Sequence, residues 1–274
     1  AAHTIFGTGQ SFVETKTLNL QERNIRYSVS GHGRAVFLLH GFLANATLFD
    51  RLQTDLALKY RVIAIDLPGH GASKNWAYVH SMELMAECIH EVARLLSIRR
   101  YVLVGHSMGG YVAVAYYQKY PQRVVGLFLL NSTTKADTEN RKQDRLRALD
   151  LLQANKSVYS HETLKSLFAP NWPEQHPELY QRVVIAALEM SNGSIAAALR
   201  GMKDRSSGWE WIQRSGLPIA YGIGNYDTVL SAESLREECK SFSRGHLYEF
   251  KQAGHYAYIE DPLATSAAIK HFLN

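Results

Sequence analysis

A chain of 274 residues with 46% hydrophobic and 20% charged residues has the makeup of a folded globular protein, which excludes a disordered or collagen-like chain. The net charge of +5 is small and scattered, so no nucleic-acid-binding surface is expected; the densest basic stretch, Arg141, Lys142, Arg145 and Arg147, is interleaved with Glu139, Asp144 and Asp150 and reads as a solvated helix face. No run approaches about 18 uncharged apolar residues, the length of a membrane-spanning helix.

The length fits one large α/β domain or a domain with an insertion. A chain of this size buries roughly three quarters of its extended surface, enough for a full core. Two cysteines, Cys88 and Cys239, cannot build a disulfide framework; both fall in helical patterns and are expected to be reduced. The opening Ala1-Ala2-His3 has no signal-peptide pattern and no initiator Met, so an upstream segment is allowed for. A cytoplasmic home is the simpler expectation, with export left open.

In chain order, the patterning predicts strands at Ile25–Ser30 and Ala35–His40, a helix at Thr47–Lys59, a strand at Arg61–Asp66 and a helix at Ser81–Leu96. A strand at Tyr101–His106, a helix at Met108–Tyr120 and a strand at Val124–Asn131 follow. The last part predicts strands at Pro218–Gly224 and Gly245–Phe250 and helices at Ala232–Lys240 and Pro262–Leu273, the latter with Asp261 placed to cap it and Pro262 at its first position. The runs VFLLH, VIAID, YVLVG and GLFLL are apolar almost throughout, as parallel strands covered on both faces are. Alternation of strand and helix therefore points to a mostly parallel sheet flanked by helices.

From Ser132 to Arg205 there is helical patterning but no convincing strand, too long a stretch for a simple connection. It is expected to be a helical cap. The predicted division is thus 1–131 for the first part of the core, 132–205 for the cap, and 206–274 for the rest of the core.

The strongest chemical signal is Gly105-His106-Ser107-Met108-Gly109-Gly110, a Gly-x-Ser-x-Gly motif between the strand YVLVG and the helix that follows. A sharp turn there pushes the Ser107 hydroxyl out of the strand end, glycines let neighbouring backbone pass close by, and a helix N-terminus adds free N–H groups. On these residues the chain resembles the α/β-hydrolase superfamily, and the resemblance spans essentially the whole sequence. His40-Gly41-Phe42 after VFLL matches where that family keeps half of its oxyanion hole, and Asp66-Leu67-Pro68-Gly69-His70-Gly71 matches its D-x-P-G-x-G loop, an architectural turn.

The resemblance implies a triad in the order serine, acid, histidine. Gly224-Asn225-Tyr226-Asp227 follows the strand PIAYGIG and makes Asp227 the acid; the family's other acid position falls here on Asn131-Ser132, which has no carboxylate. Ala253-Gly254-His255 makes His255 the base, with His40, His70 and His106 as structural histidines. The family mechanism would have His255 deprotonate Ser107 and Asp227 fix the imidazole tautomer, while the backbone N–H groups of Phe42 and Met108 bind the oxyanion.

Within the superfamily the chain is similar to small capped carboxylesterases and enol-lactone hydrolases. The expected substrate is a small-molecule ester or lactone with a small or medium apolar acyl part. Carbon–carbon bond hydrolysis of a ring-cleavage product is the alternative, and a slow-turnover ligand receptor the second one. Leu43, Phe168, Trp172, Trp209, Tyr226 and Tyr256 are the candidate pocket residues, while Arg200 and Arg205 are read as cap-to-core pairing or as carboxylate binders. No metal site, cofactor or nucleic-acid partner is implied: neither His90-Glu91 nor His161-Glu162 completes H-E-x-x-H, and the glycines at 222 and 224 do not complete a dinucleotide fingerprint.

Overall fold

The computed structural model describes residues 13–20 and 22–274. Eight strands, β1 (Glu14–Leu20), β2 (Arg23–Ser30), β3 (Ala35–Leu39), β4 (Arg61–Ile65), β5 (Tyr101–His106), β6 (Val124–Leu130), β7 (Ile219–Gly224) and β8 (Gly245–Phe250), form one sheet. Its order is β1-β2-β4-β3-β5-β6-β7-β8. The β1–β2 and β2–β4 pairs are antiparallel; the pairs from β4 through β8 are parallel. Strands β3, β5 and β7 are buried at every position, which explains why their sequences do not alternate.

The helices in chain order are α1 (Asp50–Leu56), α2 (Met82–Leu95), α3 (Met108–Lys119), α4 (Glu139–Ala154), α5 (Lys156–Lys165), α6 (Trp172–Gln175), α7 (Pro177–Glu189), α8 (Asn192–Lys203), α9 (Trp209–Ser215), α10 (Ala232–Lys240), α11 (Ala257–Glu260) and α12 (Pro262–Leu273). The α3 helix is buried along most of its length, so its sequence YVAVAYY carries no polar face to read. The expected helix Thr47–Lys59 is divided: a 3-10 turn over Ala46–Phe49, capped by the Asn45 side chain, precedes α1. Asp261 accepts the Ala264 N–H and caps α12 as its position suggested.

Five helices, α4 to α8, occupy the segment between β6 and α9, with no strand among them. Helix α8 docks on the loop before α2: Gly201 lies against the His80 carbonyl, and the Arg200 guanidinium sits 3.7 Å over the Tyr78 ring while donating to the Tyr78 carbonyl oxygen. Arg200 therefore ties α8 to the loop before α2. No single helix among the described residues is long and apolar enough to cross a membrane. Cys88 and Cys239 are free thiols buried in α2 and α10, and burial raises the pKa of both.

The chain leaves β6 over a buried carboxylate. Glu238 of α10 accepts hydrogen bonds from Thr133 Oγ1 at 2.5 Å, Thr134 N at 2.7 Å, Thr134 Oγ1 at 2.6 Å and the Tyr221 hydroxyl at 2.7 Å. These partners satisfy the polar oxygens of a side chain that is 2% exposed. Glu238→Ala leaves several buried donors unpaired and is expected to destabilise the fold by about 2–4 kcal/mol. The urea-unfolding midpoint reads this directly, and a loss below about 0.5 kcal/mol, the range of an ordinary surface substitution, would show the network to be dispensable.

Candidate active site

Ser107 sits at the junction of β5 and α3 with φ 49° and ψ −116°, a region a non-glycine residue enters only when its surroundings enforce it. The surroundings are visible. The Ser107 amide donates to the Leu130 carbonyl at 3.0 Å, extending the β5–β6 ladder one residue past the strand. The Ser107 carbonyl accepts from the Ser132 hydroxyl at 2.7 Å and from the Gly110 amide at 2.9 Å. A Cβ at Gly109 would collide with the Leu39 and His40 carbonyl oxygens, which is why the motif requires glycine there.

The hydroxyl of Ser107 lies 2.8 Å from His255 Nε2, and His255 Nδ1 lies 2.8 Å from Asp227 Oδ2. Three residues far apart in sequence, each at the C-terminal end of a parallel strand or just beyond it, thus form one hydrogen-bonded chain. The Asp227 carboxylate is fully shielded from solvent. Burial alone would push its pKa up. The charge of His255 and hydrogen bonds from His255, Asn131 and the Val229 amide outweigh that and hold it below the usual value. Asp227 therefore stays an anion, and an anion on Nδ1 directs that nitrogen to carry the proton, leaving Nε2 free to accept one from Ser107.

The loop after β3 is fixed by neutral histidines. His40 Nδ1 donates to the Gly41 carbonyl at 2.8 Å and His40 Nε2 accepts the Leu67 amide at 3.0 Å, which defines its tautomer. Burial lowers the pKa of His40, and that of His70 and His106 much further, so all three are neutral near pH 7. His106 Nε2 donates to the His255 carbonyl at 2.7 Å and so supports the backbone at His255. Asp66 accepts the Ala46 amide at 2.7 Å and the Ala72 amide at 3.0 Å, which makes the Asp66–Gly71 loop a brace for the segment after Phe42. Met108 heads α3, so its amide has no carbonyl four residues back within that helix.

Ser107 and His255 open on an inner chamber of about 60 Å³. Phe42, Leu43, Tyr111 and Tyr256 line it from one side; Arg145, Thr163, Leu167 and Met202 line it from the segment between β6 and β7. An outer chamber of about 300 Å³ shares Phe42, Arg145, Thr163, Leu167 and Val229 with it and leads outward past α4. A larger groove of about 600 Å³ lies between Asn75–Tyr78 and helices α4 and α8, and neither Ser107 nor His255 borders it.

Of the six expected pocket residues, Leu43 and Tyr256 line the inner chamber. The other four stand outside both chambers. Phe168 stacks on Tyr256 at 4.9 Å and Trp172 stacks on Phe168 at 4.9 Å, so both rings pack behind the wall. Trp209 Nε1 donates to Ser241 Oγ at 2.9 Å on the α9–α10 side, and Tyr226 is 50% exposed.

Two supporting residues escaped the sequence reading. Asn131, fully buried with φ 48°, donates its amide to Asp227 Oδ2 at 3.0 Å and to the Gly254 carbonyl at 3.1 Å. It occupies the alternative acid position, and that was the available signal. Glu260 accepts the Gly254, Tyr256 and Ala169 amides at 3.0, 3.1 and 2.7 Å, tying both flanks of His255 to the segment after α5. The His255 amide donates to the Leu167 carbonyl at 2.7 Å in the same place.

Comparison with known proteins agrees with this arrangement at the level of the family. A family model described as alpha/beta hydrolase fold matches residues 34–262. The AB hydrolase superfamily protein YisY of Bacillus subtilis is 26% identical over 254 residues, covering 89% of this chain and 93% of that protein. Among solved structures, a thermophilic esterase from Thermogutta terrifontis matches with TM-score 0.87 at 26% identity, over 97% of this chain and 98% of its own. The enol-lactonase of Burkholderia xenovorans has the same fold, with TM-score 0.86 at 17% identity over 94% and 99% of the two chains.

Proposed function

The chain belongs to the α/β-hydrolase family, and on that premise we propose that it is a serine hydrolase cleaving a carboxylic ester through an acyl-enzyme on Ser107. The observation that carries this reading is the continuous hydrogen-bonded chain from Ser107 Oγ through His255 to Asp227, opening on a chamber walled mainly by apolar side chains.

In this mechanism His255 Nε2 takes the hydroxyl proton as Ser107 Oγ attacks the carbonyl carbon. The charge that develops on the carbonyl oxygen is met by the Phe42 and Met108 amides; removing one such donor typically costs about 10²–10³-fold in kcat. The imidazolium, stabilised by Asp227, gives its proton to the departing alkoxide. Water then enters, loses a proton to His255 and attacks the acyl carbon; as the acyl–oxygen bond breaks, His255 returns that proton to Ser107 Oγ and the acid is freed. Residues 132–205 act as the cap that closes the chamber, since Arg145, Thr163, Leu167 and Met202 come from that stretch.

The narrow inner chamber favours a short acyl group. Across p-nitrophenyl esters from acetate to dodecanoate, kcat/KM is expected to peak at or below the hexanoate and to fall at least about 10-fold by the dodecanoate, because hydrophobic gain per methylene ends where the chamber does. A folded enzyme without turnover on any member would contradict the ester reading.

A further inference from the structure

Among the described residues, Arg145 is the one permanently charged side chain lining the chamber that holds Ser107 and His255. Its charge is not fully answered by the protein. Arg145 Nε donates to Asp137 Oδ2 at 3.2 Å, while Asp137 Oδ1 is taken by Arg205 Nη1 at 2.6 Å. Two guanidinium groups thus share one carboxylate, and the cluster keeps one positive charge in excess. All three side chains are shielded, with 16%, 5% and 2% exposure for Arg145, Arg205 and Asp137.

The two arginines are not equivalent. Arg205 is committed to structure. It also donates to the Met202 carbonyl at 3.0 Å and the Lys135 carbonyl at 3.1 Å, and its guanidinium rests 3.7 Å over the Tyr111 ring. Arg145 makes no hydrogen bond through its two Nη groups to any described residue, and it is the member of the pair that lines both the inner and the outer chamber. One turn earlier, Arg141 lines the outer chamber, with no acidic partner among the described residues. Asp144, the one carboxylate at that mouth, is ion-paired to Arg147. A shielded cation with unused planar donors, at the end of a positively charged entrance, is the arrangement that draws in and holds a carboxylate.

We propose that Arg145 is a specificity-determining residue that binds a carboxylate carried by the ester substrate, so that the enzyme acts on esters with an anionic end beyond a short apolar body. This rests on the ester-hydrolase reading of the same chamber. The carboxylate belongs either to the acyl part or to the alcohol part, and the same Nη donors serve both.

Two matched pairs of substrates separate these cases: mono-p-nitrophenyl glutarate against p-nitrophenyl pentanoate, and 4-(butanoyloxy)benzoate against phenyl butanoate. In at least one pair the anionic member should have a kcat/KM about 10-fold higher or more, and Arg145→Gln should lower that ratio about 10–100-fold, mostly through KM, as loss of a charge-assisted hydrogen bond implies. Arg145→Lys, a second variant that keeps the charge, should restore part of the ratio. A purely structural role would move both members of a pair alike and leave the ratio fixed. A wild-type ratio at or below one in both pairs, or a ratio indifferent to Arg145→Gln, overturns the proposal. Calorimetric titration of glutarate into Ser107→Ala, with and without Arg145→Gln, reads the anion site without any turnover. Binding weakened at least about 10-fold by the second substitution supports the site, and absence of binding overturns it. Serine-independent hydrolysis of the neutral esters would instead sink the underlying hydrolase reading.

Discussion

Ser107→Ala is expected to lower kcat on a p-nitrophenyl ester by about 10⁴–10⁶-fold while leaving the fold and its unfolding midpoint intact, because a triad that acts as a unit loses nearly all its power with its nucleophile. His255→Ala should have an effect of the same order. The double variant should be scarcely slower than either single one, since removing the base from an enzyme without a nucleophile takes away nothing further. Steady-state rates of the three variants on one ester measure this. Multiplicative losses would mean that Ser107 and His255 act independently, against the shared hydrogen bond at 2.8 Å.

The second large effect concerns the acid. Asp227→Asn should reduce kcat by about 10⁴-fold with little change in KM, because an amide facing Nδ1 no longer enforces the tautomer that leaves Nε2 free. Asn131 sharpens the expectation. Its side-chain amide already donates to Asp227 Oδ2, so an asparagine at 227 brings a second donor where an acceptor is needed. The substitution also changes stability with a definite sign. The folded pKa of Asp227 lies below its unfolded value, so its contribution is complete above the ordinary carboxylate pKa and fades as the pH falls through the depressed folded value. Asp227→Asn should therefore flatten the acid side of the stability profile. An unchanged kcat would remove Asp227 from the mechanism.

How far the sequence reveals this site depends on whether the governing contacts are local. Ser107, Asp227 and His255 each lie just beyond a uniformly apolar or glycine-marked strand, so strand, turn and chemistry are read within a dozen or so residues. The chamber walls are different. Arg145, Thr163 and Met202 come from three separate helices and Leu167 from the turn after α5; their relative placement rests on tertiary packing, and no short pattern marks the face each turns to the chamber. Aromatic rings mislead for the same reason: Phe168 and Trp172 are as hydrophobic as a pocket wall but are spent in a stack behind Tyr256.

The elements show the same division. Strand β1 carries no readable sequence period because its residues are largely exposed on both faces of an edge, and only Leu18 and Leu20 reach the core. The single-turn helix α11 was likewise unmarked, although it brings Glu260 to the backbone around His255. Edge strands and single turns carry too few buried residues to set up a period, whereas the central strands carry little else.

The most direct test of the central claim is labelling with a fluorophosphonate, which phosphonylates an activated serine, followed by peptide mass mapping. One adduct on the peptide containing Ser107 is expected, lost in His255→Ala even though the serine remains. Failure of the folded wild-type protein to react, or an adduct on another residue that persists in Ser107→Ala, would contradict the account.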